Sequence, residues 1–264
     1  MPRIKCPKCK GQNGTQIRRN KRRCKKCKYE WNPNKLPLHL TKDQWKQILK
    51  WFMLELSSNK VSRQTKIERK RVLRALAYAR IAMHKDIPKV FSGIVEVDET
   101  YLGGQWKNKR KSTRAIGTKR GRGTSKQPVF GILCRSGLVW AEIVDDAEAK
   151  TLQPLIKKQV TTGSTICSDT WKGYTGIATQ GYVHRLVKHS EQEYSDKKGT
   201  HINGLEGFWG YLKRKLAAKG GIRRDKLWLY LGEYVWRYNN RKIPVDKQVL
   251  KLIKLLNKRR IIGG

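Results

Sequence analysis

The sequence predicts a mixed α/β domain of catalytic size behind two small modules, and three observations carry that prediction. Residues 94–104 alternate apolar and acidic side chains and stop at two glycines, the period of a strand. Residues 128–135 and 138–144 flank Ser136-Gly137 and predict a hairpin. Beyond it, residues 149–160 carry Leu152, Leu155 and Ile156 at helical spacing, 165–169 read as a short strand ending on an acid, and 182–187 supply a fifth strand. Two helical stripes follow, Leu205, Phe208 or Trp209, Leu212 and Leu216, then Leu227, Leu231, Tyr234 or Val235, and Tyr238. Three strands in antiparallel sequence, then a helix, a strand and further helices, is the order of a ribonuclease-H-like mixed sheet with flanking helices. The expected boundaries are 1–34 for a metal-held module, 38–90 for a helical module, 91–245 for the α/β domain and 246–264 for a basic C-terminal tail helix.

Sixty Lys and Arg against 20 Asp and Glu give a formal charge of +40. Such a surface attracts polyanions, nucleic acid foremost, and argues against an ordinary small-metabolite enzyme. No apolar run approaches the roughly 18–20 residues of a membrane-spanning helix, and Met1–Cys6 lacks a signal-peptide core. A reducing, cytoplasmic setting is therefore expected, in which the six cysteines are ligands or core residues before they are disulfides.

In the first module, Cys6-x-x-Cys9 and Cys24-x-x-Cys27 are separated by 14 residues. Four thiolates in two such pairs give the closed tetrahedral shell of one structural Zn²⁺, with a redox pair or an iron–sulfur site as the alternatives. Few apolar residues lie here, so metal would supply much of the folding energy. Trp31 is placed to cap the ribbon, and Arg18, Arg19 and Arg22, with Lys21 and Arg23, lie between the knuckles as candidate phosphate contacts. In the second module, Trp45, Ile48, Leu49, Phe52, Met53 and Leu56 mark a helix over 42–56, with Thr41 or Asp43 as its cap. Ser57-Ser58-Asn59-Lys60 reads as a break, a short helix follows near 62–67, and a longer one from 69 to 84 buries Val72, Leu73, Leu76, Ala79 and Ile81 or Met83. The basic run containing Arg69 and Arg71 fits a helix-turn-helix on DNA; a plain helical hairpin packed on the main domain, its basic face only solvated, is the alternative.

The α/β domain carries the candidate chemistry. If the first strand is regular, Glu96, Asp98 and Thr100 share one face and Val95, Val97, Glu99 and Tyr101 the other. A carboxylate in a sheet strand is costly to bury, so Asp98 is read as a metal ligand. Glu96 remains a runner-up ligand, and Glu99 is expected to face the other way and pair with a basic side chain; a bulge at Asp98-Glu99 would reverse the choice of Asp98 over Glu99. Asp169 ends a strand, and Glu206 sits at the rim of the 203–219 helix with Lys213 seven residues later on the same side. Three convergent carboxylates, Asp98, Asp169 and Glu206, can hold two Mg²⁺ or Mn²⁺ ions for phosphodiester chemistry. Lys213 and Arg214 are candidate DNA contacts. So are Lys109, Arg110, Arg120 and Arg122 of the acid-free loop 105–127, which is either a disordered linker or a segment that orders on a DNA backbone.

Taken together these residues resemble a family. The order Cys-x-x-Cys, Cys-x-x-Cys, then Val-Asp-Glu-Thr-Tyr-Leu-Gly-Gly (97–104), Ser-Asp (168–169) and His-x-Asn-x-x-Glu-Gly-Phe-Trp-Gly-x-Leu-Lys-Arg (201–214) is similar to DDE-type insertion-sequence transposases with an N-terminal zinc ribbon. The run Arg237-Tyr238-Asn239-Asn240-Arg241 resembles the end of their catalytic domain. The resemblance implies a ribonuclease-H-like catalytic domain, cleavage at element ends and strand transfer into target DNA. It carries catalytic roles onto Asp98, Asp169 and Glu206, with Lys213 as the associated basic residue and Asn203 as support. It also implies double-stranded DNA as partner, both element ends and target, a homodimer or larger assembly on that DNA, and a prokaryotic, nucleoid-associated location. Two other classes share parts of the reading: a non-catalytic zinc-ribbon nucleic-acid-binding factor, and a nuclease of the same fold that does not join strands.

Overall fold

The computed structural model describes residues 5–6, 8–12, 14–18, 21–32, 36–103, 111–112, 126–169, 172–187 and 203–257. They belong to two compact units, Met1–Asp86 with Ile243–Gly264, and Ile87–Lys242.

The first unit begins with a three-stranded antiparallel sheet, β1 (Gly14–Arg18), β2 (Lys21–Cys24) and β3 (Glu30–Trp31). Its buried core is Cys6, Cys24 and Trp31, with Cys9 and Cys27 packed against them. Trp31 thus lies inside the ribbon, directly over Gly14, where a Cβ would come within 2.6 Å of its ring. Three helices follow. In α1 (Lys42–Met53), Thr41 and Gln44 exchange side-chain-to-backbone hydrogen bonds in a capping box, and Trp45, Ile48, Leu49, Phe52 and Met53 are buried.

The next helix, α2 (Ser58–Thr65), starts four residues earlier than the sequence reading placed it. The reason is local: Ser57 is not a breaker but an N-cap, its hydroxyl accepting from the Lys60 amide. The long helix α3 (Arg69–Lys85) buries Val72, Ala75, Leu76, Ala79, Ala82 and Met83. Leu73, expected inside, is 42% exposed.

The second unit is built on a five-stranded sheet. Its strands are β4 (Ile94–Leu102), β5 (Gln127–Cys134), β6 (Val139–Ile143), β7 (Thr165–Ser168) and β8 (Val183–Leu186). The spatial order is β6-β5-β4-β7-β8. β4, β5 and β6 pair antiparallel, whereas β7 lies parallel to β4 and β8 parallel to β7. This is the mixed sheet of a ribonuclease-H-like domain, with β4 at its centre. Gly137 closes the β5–β6 hairpin at φ +87°, a conformation glycine adopts without strain. Among the described residues the helices of this unit are α4 (Ala149–Gln159), α5 (Asn203–Ala217) and α6 (Arg224–Asn239). α5 packs on β4 and β5, and α6 packs on β6 and α5. Asn239 ties α6 to the edge strand, accepting from the Val139 amide and donating to its carbonyl, both at 2.8 Å.

The last helix, α7 (Val245–Asn257), is not a separate tail. It packs against α1 and α3 within the first unit and buries Val249, Leu252, Ile253 and Leu256. Its Lys251 forms an ion pair with Asp86 at 2.7 Å. Among the described residues no helix is long and apolar enough to cross a membrane.

Candidate catalytic site

Strand register decides which acid of β4 meets which surroundings. β4 pairs with β5 residue by residue from Val95↔Cys134 to Leu102↔Gln127, without a bulge. Glu96 and Asp98 therefore share a face, and α5 covers it. The Glu96 carboxylate, fully buried, accepts from the Leu205 amide at 2.8 Å and meets Arg135 Nε at 3.2 Å. It serves one of the amides that a helix start leaves without an intrahelical acceptor, and its charge complements the positive end of the helix. Gly204 permits the approach: a Cβ there would lie 3.0 and 3.1 Å from the Glu96 oxygens. Glu96 is thus engaged in holding the start of α5.

One turn further, the Trp209 indole N–H donates to Asp98 Oδ2 at 2.9 Å. Its ring lies over Gly131, the residue opposite Asp98, where a Cβ would come within 2.5 Å of it. Glu99 faces the other side and accepts from the Tyr174 hydroxyl at 2.7 Å. Burial and the Glu99 charge hold that hydroxyl well above its ordinary pKa, so it stays a donor.

Asp169 follows β7 directly. The β4–β7 register runs Ile94↔Thr165, Val95↔Ile166 and Glu96↔Cys167, and two more residues bring Asp169 level with Asp98. The Ser168 hydroxyl donates to the Asp169 carbonyl at 2.8 Å, leaving its oxygen to accept from His184 Nε2, also at 2.8 Å. Burial first, then the Glu99 charge, push the Asp98 carboxyl up to about 7, against the Trp209 hydrogen bond; Asp169 adds a smaller push. Partial burial lowers the Lys213 ammonium, while the Asp98 charge favours it and Lys126 opposes it.

Glu206 is exposed in the first turn of α5, three residues before Trp209 and seven before Lys213, on the flank whose other members act on Asp98. Yet the three acids are not gathered tightly. Among the described residues, the only group of three or more potential metal ligands with atoms all within 4.8 Å is Cys6, Cys9, Cys24 and Cys27. There Cys6 and Cys27 sulfurs lie 3.6 Å apart and Cys9 and Cys24 sulfurs 3.5 Å apart. Four sulfurs at ~2.3 Å from one zinc would be ~3.8 Å from each other, so the cluster could take that ion. The Cys27 amide aimed at the Cys24 sulfur pulls that thiol down to about 6, whereas Cys27, against the Tyr29 amide, is pushed up to about 11 by burial and the neighbouring sulfurs, so the four thiols share their protons unequally.

The candidate DNA contacts divide. Arg18, Arg69 and Arg214 are exposed. Arg22 is half-buried and donates to the Gly14 carbonyl at 3.4 Å. Arg71 spends its guanidinium inside the unit, donating to the Leu38 carbonyl at 2.7 and 3.2 Å and to His39 at 3.1 Å. It thereby braces a turn whose residues Leu38 and His39 both have positive φ. Arg19, Lys109, Arg110, Arg120, Arg122 and His201 lie outside the described residues. The sequence places Trp209 only on a helical stripe and Ser168 only in the Ser-Asp motif, and gives neither of them, nor Tyr174 nor His184, a role at the site. A signal for the first was present in Gly131, a lone glycine in an apolar strand, which marks close approach by another group.

A central strand bearing acids, with a further acid just past its parallel neighbour, frames the site, and comparison with known proteins assigns the domain. Residues 90–239 match the ISXO2-like transposase domain. The chain belongs to that transposase family. An "uncharacterized transposase-like protein" of Haemophilus influenzae is 31% identical over 113 residues, covering 43% of this chain and 90% of that protein. Among solved structures, the Mos1 transposase paired-end complex with the left transposon end is 13% identical over 85% of this chain and 81% of that one, at a TM-score of 0.25. A simian T-cell lymphotropic virus intasome in complex with PP2A regulatory subunit B56 gamma is 12% identical over 72% and 67%, at a TM-score of 0.34. These structural likenesses are distant.

Proposed function

We propose that the protein is the transposase of an insertion sequence, cleaving the ends of its element and joining the freed 3′-hydroxyl strands to target DNA. The observation that carries this reading is the Asp98 carboxylate, held by an indole N–H at 2.9 Å and pushed up to about 7 by burial and by neighbouring acids. A cation held between such acids would relieve the opposition of their charges. Their oxygen donors suit hard Mg²⁺ or Mn²⁺, which Asp98 and Asp169 would hold with Glu206 completing the set. Two such ions supply an activated attacking oxygen and a stabilised leaving oxygen in phosphodiester transfer.

The chain's own side chains do the rest. Trp209 fixes one Asp98 oxygen in place. Lys213, within electrostatic reach of Asp98, offers an ammonium to a DNA phosphate beside the acids. Arg18, Arg22, Arg69 and Arg214 extend the DNA contact, and Cys6, Cys9, Cys24 and Cys27 hold one structural Zn²⁺. Joining two element ends requires both to be held together, so a homodimer or larger assembly on DNA is part of the proposal, as is a cytoplasmic, nucleoid-associated location in a prokaryotic cell.

The test uses purified protein, Mg²⁺ and a supercoiled plasmid carrying the coding region with its native flanks. Joined products are expected, and Asp98→Asn, Asp169→Asn and Glu206→Gln should each lower their yield at least about a hundredfold while DNA binding persists. Undiminished joining by Asp169→Asn overturns the assignment. Cleavage without joined products moves the protein to the nuclease class.

A further inference from the structure

We infer that Tyr174 is a positioning residue of the acid site: its hydroxyl, anchored on Glu99, straps the segment that carries Asp169 to the strand that carries Asp98, and so sets how the two carboxyls meet a divalent cation. This rests on the metal-binding part of the reading above. The need for a strap follows from where the two acids sit. Asp98 lies inside the β4–β5 ladder, opposite Gly131, with paired residues before and after it. Asp169 lies one residue past the end of β7, whose pairing stops at Cys167 on the β4 side and at Ser168 on the β8 side. The ladder thus ends short of Asp169. The Ser168 hydroxyl holds the Asp169 carbonyl, but a contact between chain neighbours does not tie the segment to β4.

Tyr174 supplies that tie. It ends a single 3-10 turn, Lys172–Tyr174, and its side chain is fully buried. The hydroxyl donates to Glu99 Oε2 at 2.7 Å. Glu99 is the next residue to Asp98 on β4 and faces the opposite side of the sheet from Trp209, so the strand is gripped from both faces. Only five residues lead from Asp169 to Tyr174, a span of at most ~17 Å, so Asp169 sits on a short tether fixed at β7 and at Glu99. The far end of the tether is itself pinned. Gln153 of α4 donates to the Gly173 and Thr175 carbonyls, on either side of Tyr174, at 3.4 and 2.8 Å. Its own side-chain oxygen accepts from Gln180 Nε2 at 2.6 Å, which fixes the amide's direction. The ring therefore enters the core at a set point. A phenylalanine would fill the same space; the hydroxyl adds a fixed donor to the strand that bears the acids, and it lies within electrostatic reach of both Asp98 and Asp169. Partners that orient the groups around a metal are worth much of its affinity without touching it.

The experiment titrates the full-length protein, its zinc in place, with Mn²⁺ alone and no DNA, and counts free Mn²⁺ by electron paramagnetic resonance. Binding that disappears in Asp98→Asn is the signal of the acid site. Tyr174→Phe, which keeps the ring, should weaken that binding about 10- to 100-fold with an unchanged circular dichroism spectrum. Gln153→Ala, which leaves the ring and hydroxyl in place, should weaken it in the same direction, and carries the test if the core does not accept phenylalanine. In a Glu99→Ala background the acceptor is already gone, so adding Tyr174→Phe should change the affinity less than about twofold. Wild-type affinity in both Tyr174→Phe and Gln153→Ala overturns the inference. So does an equal loss on Tyr174→Phe with and without Glu99, which would make the side chain a packing element only, and so does a wild-type chain with no Asp98-dependent binding. A protein whose Mn²⁺ affinity follows Tyr174 yet never joins DNA keeps the strap and removes the transposase, whereas joined products from a chain whose Mn²⁺ affinity ignores Tyr174 do the reverse.

Discussion

Asp98 is held from outside its own strand, by a residue 111 positions later in the chain. The Trp209 ring fills the space over Gly131, and its N–H reaches the carboxylate across the same gap. Two substitutions are therefore coupled. Trp209→Phe removes the N–H and the outer ring atoms, at a cost of about 1–3 kcal/mol for a charged acceptor left without its donor. Gly131→Ala forces a methyl into the ring and should cost about 1–3 kcal/mol by overpacking. In the double variant the methyl enters space the indole has left, so urea denaturation should give a loss smaller than the sum by at least about 0.5 kcal/mol. Strict additivity would mean that the ring does not occupy the Gly131 gap. Much of this site was legible in sequence. Period-two patterning put Glu96 and Asp98 on one face, and the unbulged register keeps them there. The indole contact was not legible, because a helix-to-strand hydrogen bond leaves no periodic trace; nor was the spread of the three acids, since spacing along a chain does not fix distance between elements.

Elements differ in how far their residues suffice to form them. α5 has an apolar face over the sheet and a buried carboxylate at its start, so its place is set by packing and charge together. The ribbon has neither resource. Its core is one tryptophan and four thiols, and β3 is two residues long. The sequence pointed the same way, because two Cys-x-x-Cys pairs in an apolar-poor stretch predict that a metal would supply much of the folding energy. α2 was less legible: Ser57 is the same residue whether it breaks a helix or caps one, and only the direction of the chain around it decides. For the ribbon the expected outcome is sharp. Stripping zinc with a strong chelator, or replacing Cys24 by Ser, should open residues 5–32 to proteolysis and collapse their amide dispersion, while the melting of the 87–242 unit is unaltered. Protection of residues 5–32 in metal-free protein would show that Trp31 and its neighbours suffice without the ion.

At the scale of the whole molecule the chain order and the spatial order disagree, and the disagreement has an energetic consequence. The unit that starts the chain is completed by its end: α7 belongs with α1 and α3, and the 87–242 unit is an insertion between the two parts. The hydrophobic spacing of α7 was visible in the sequence, but no local pattern says which distant helix an amphipathic face will meet, and a separate tail was the simplest reading. Packing assigns it instead a share of a core. Val249, Leu252, Ile253 and Leu256 are each at most 7% exposed. At about 1.5–3 kcal/mol per buried aliphatic side chain their removal costs roughly 6–12 kcal/mol before relaxation, comparable with the roughly 5–15 kcal/mol that holds a typical domain folded. A chain ending at Lys242 should therefore lose the helical core around Trp45, Ile48 and Val72 while keeping the sheet of the second unit. Limited proteolysis read by mass spectrometry separates the outcomes: cuts within residues 36–86 are expected in the shortened chain and not in the full one, with 87–242 resistant in both. Equal protection of residues 36–86 in the two chains would show that α1, α2 and α3 stand without α7, and that the C-terminal helix is an accessory to that core and not one of its walls.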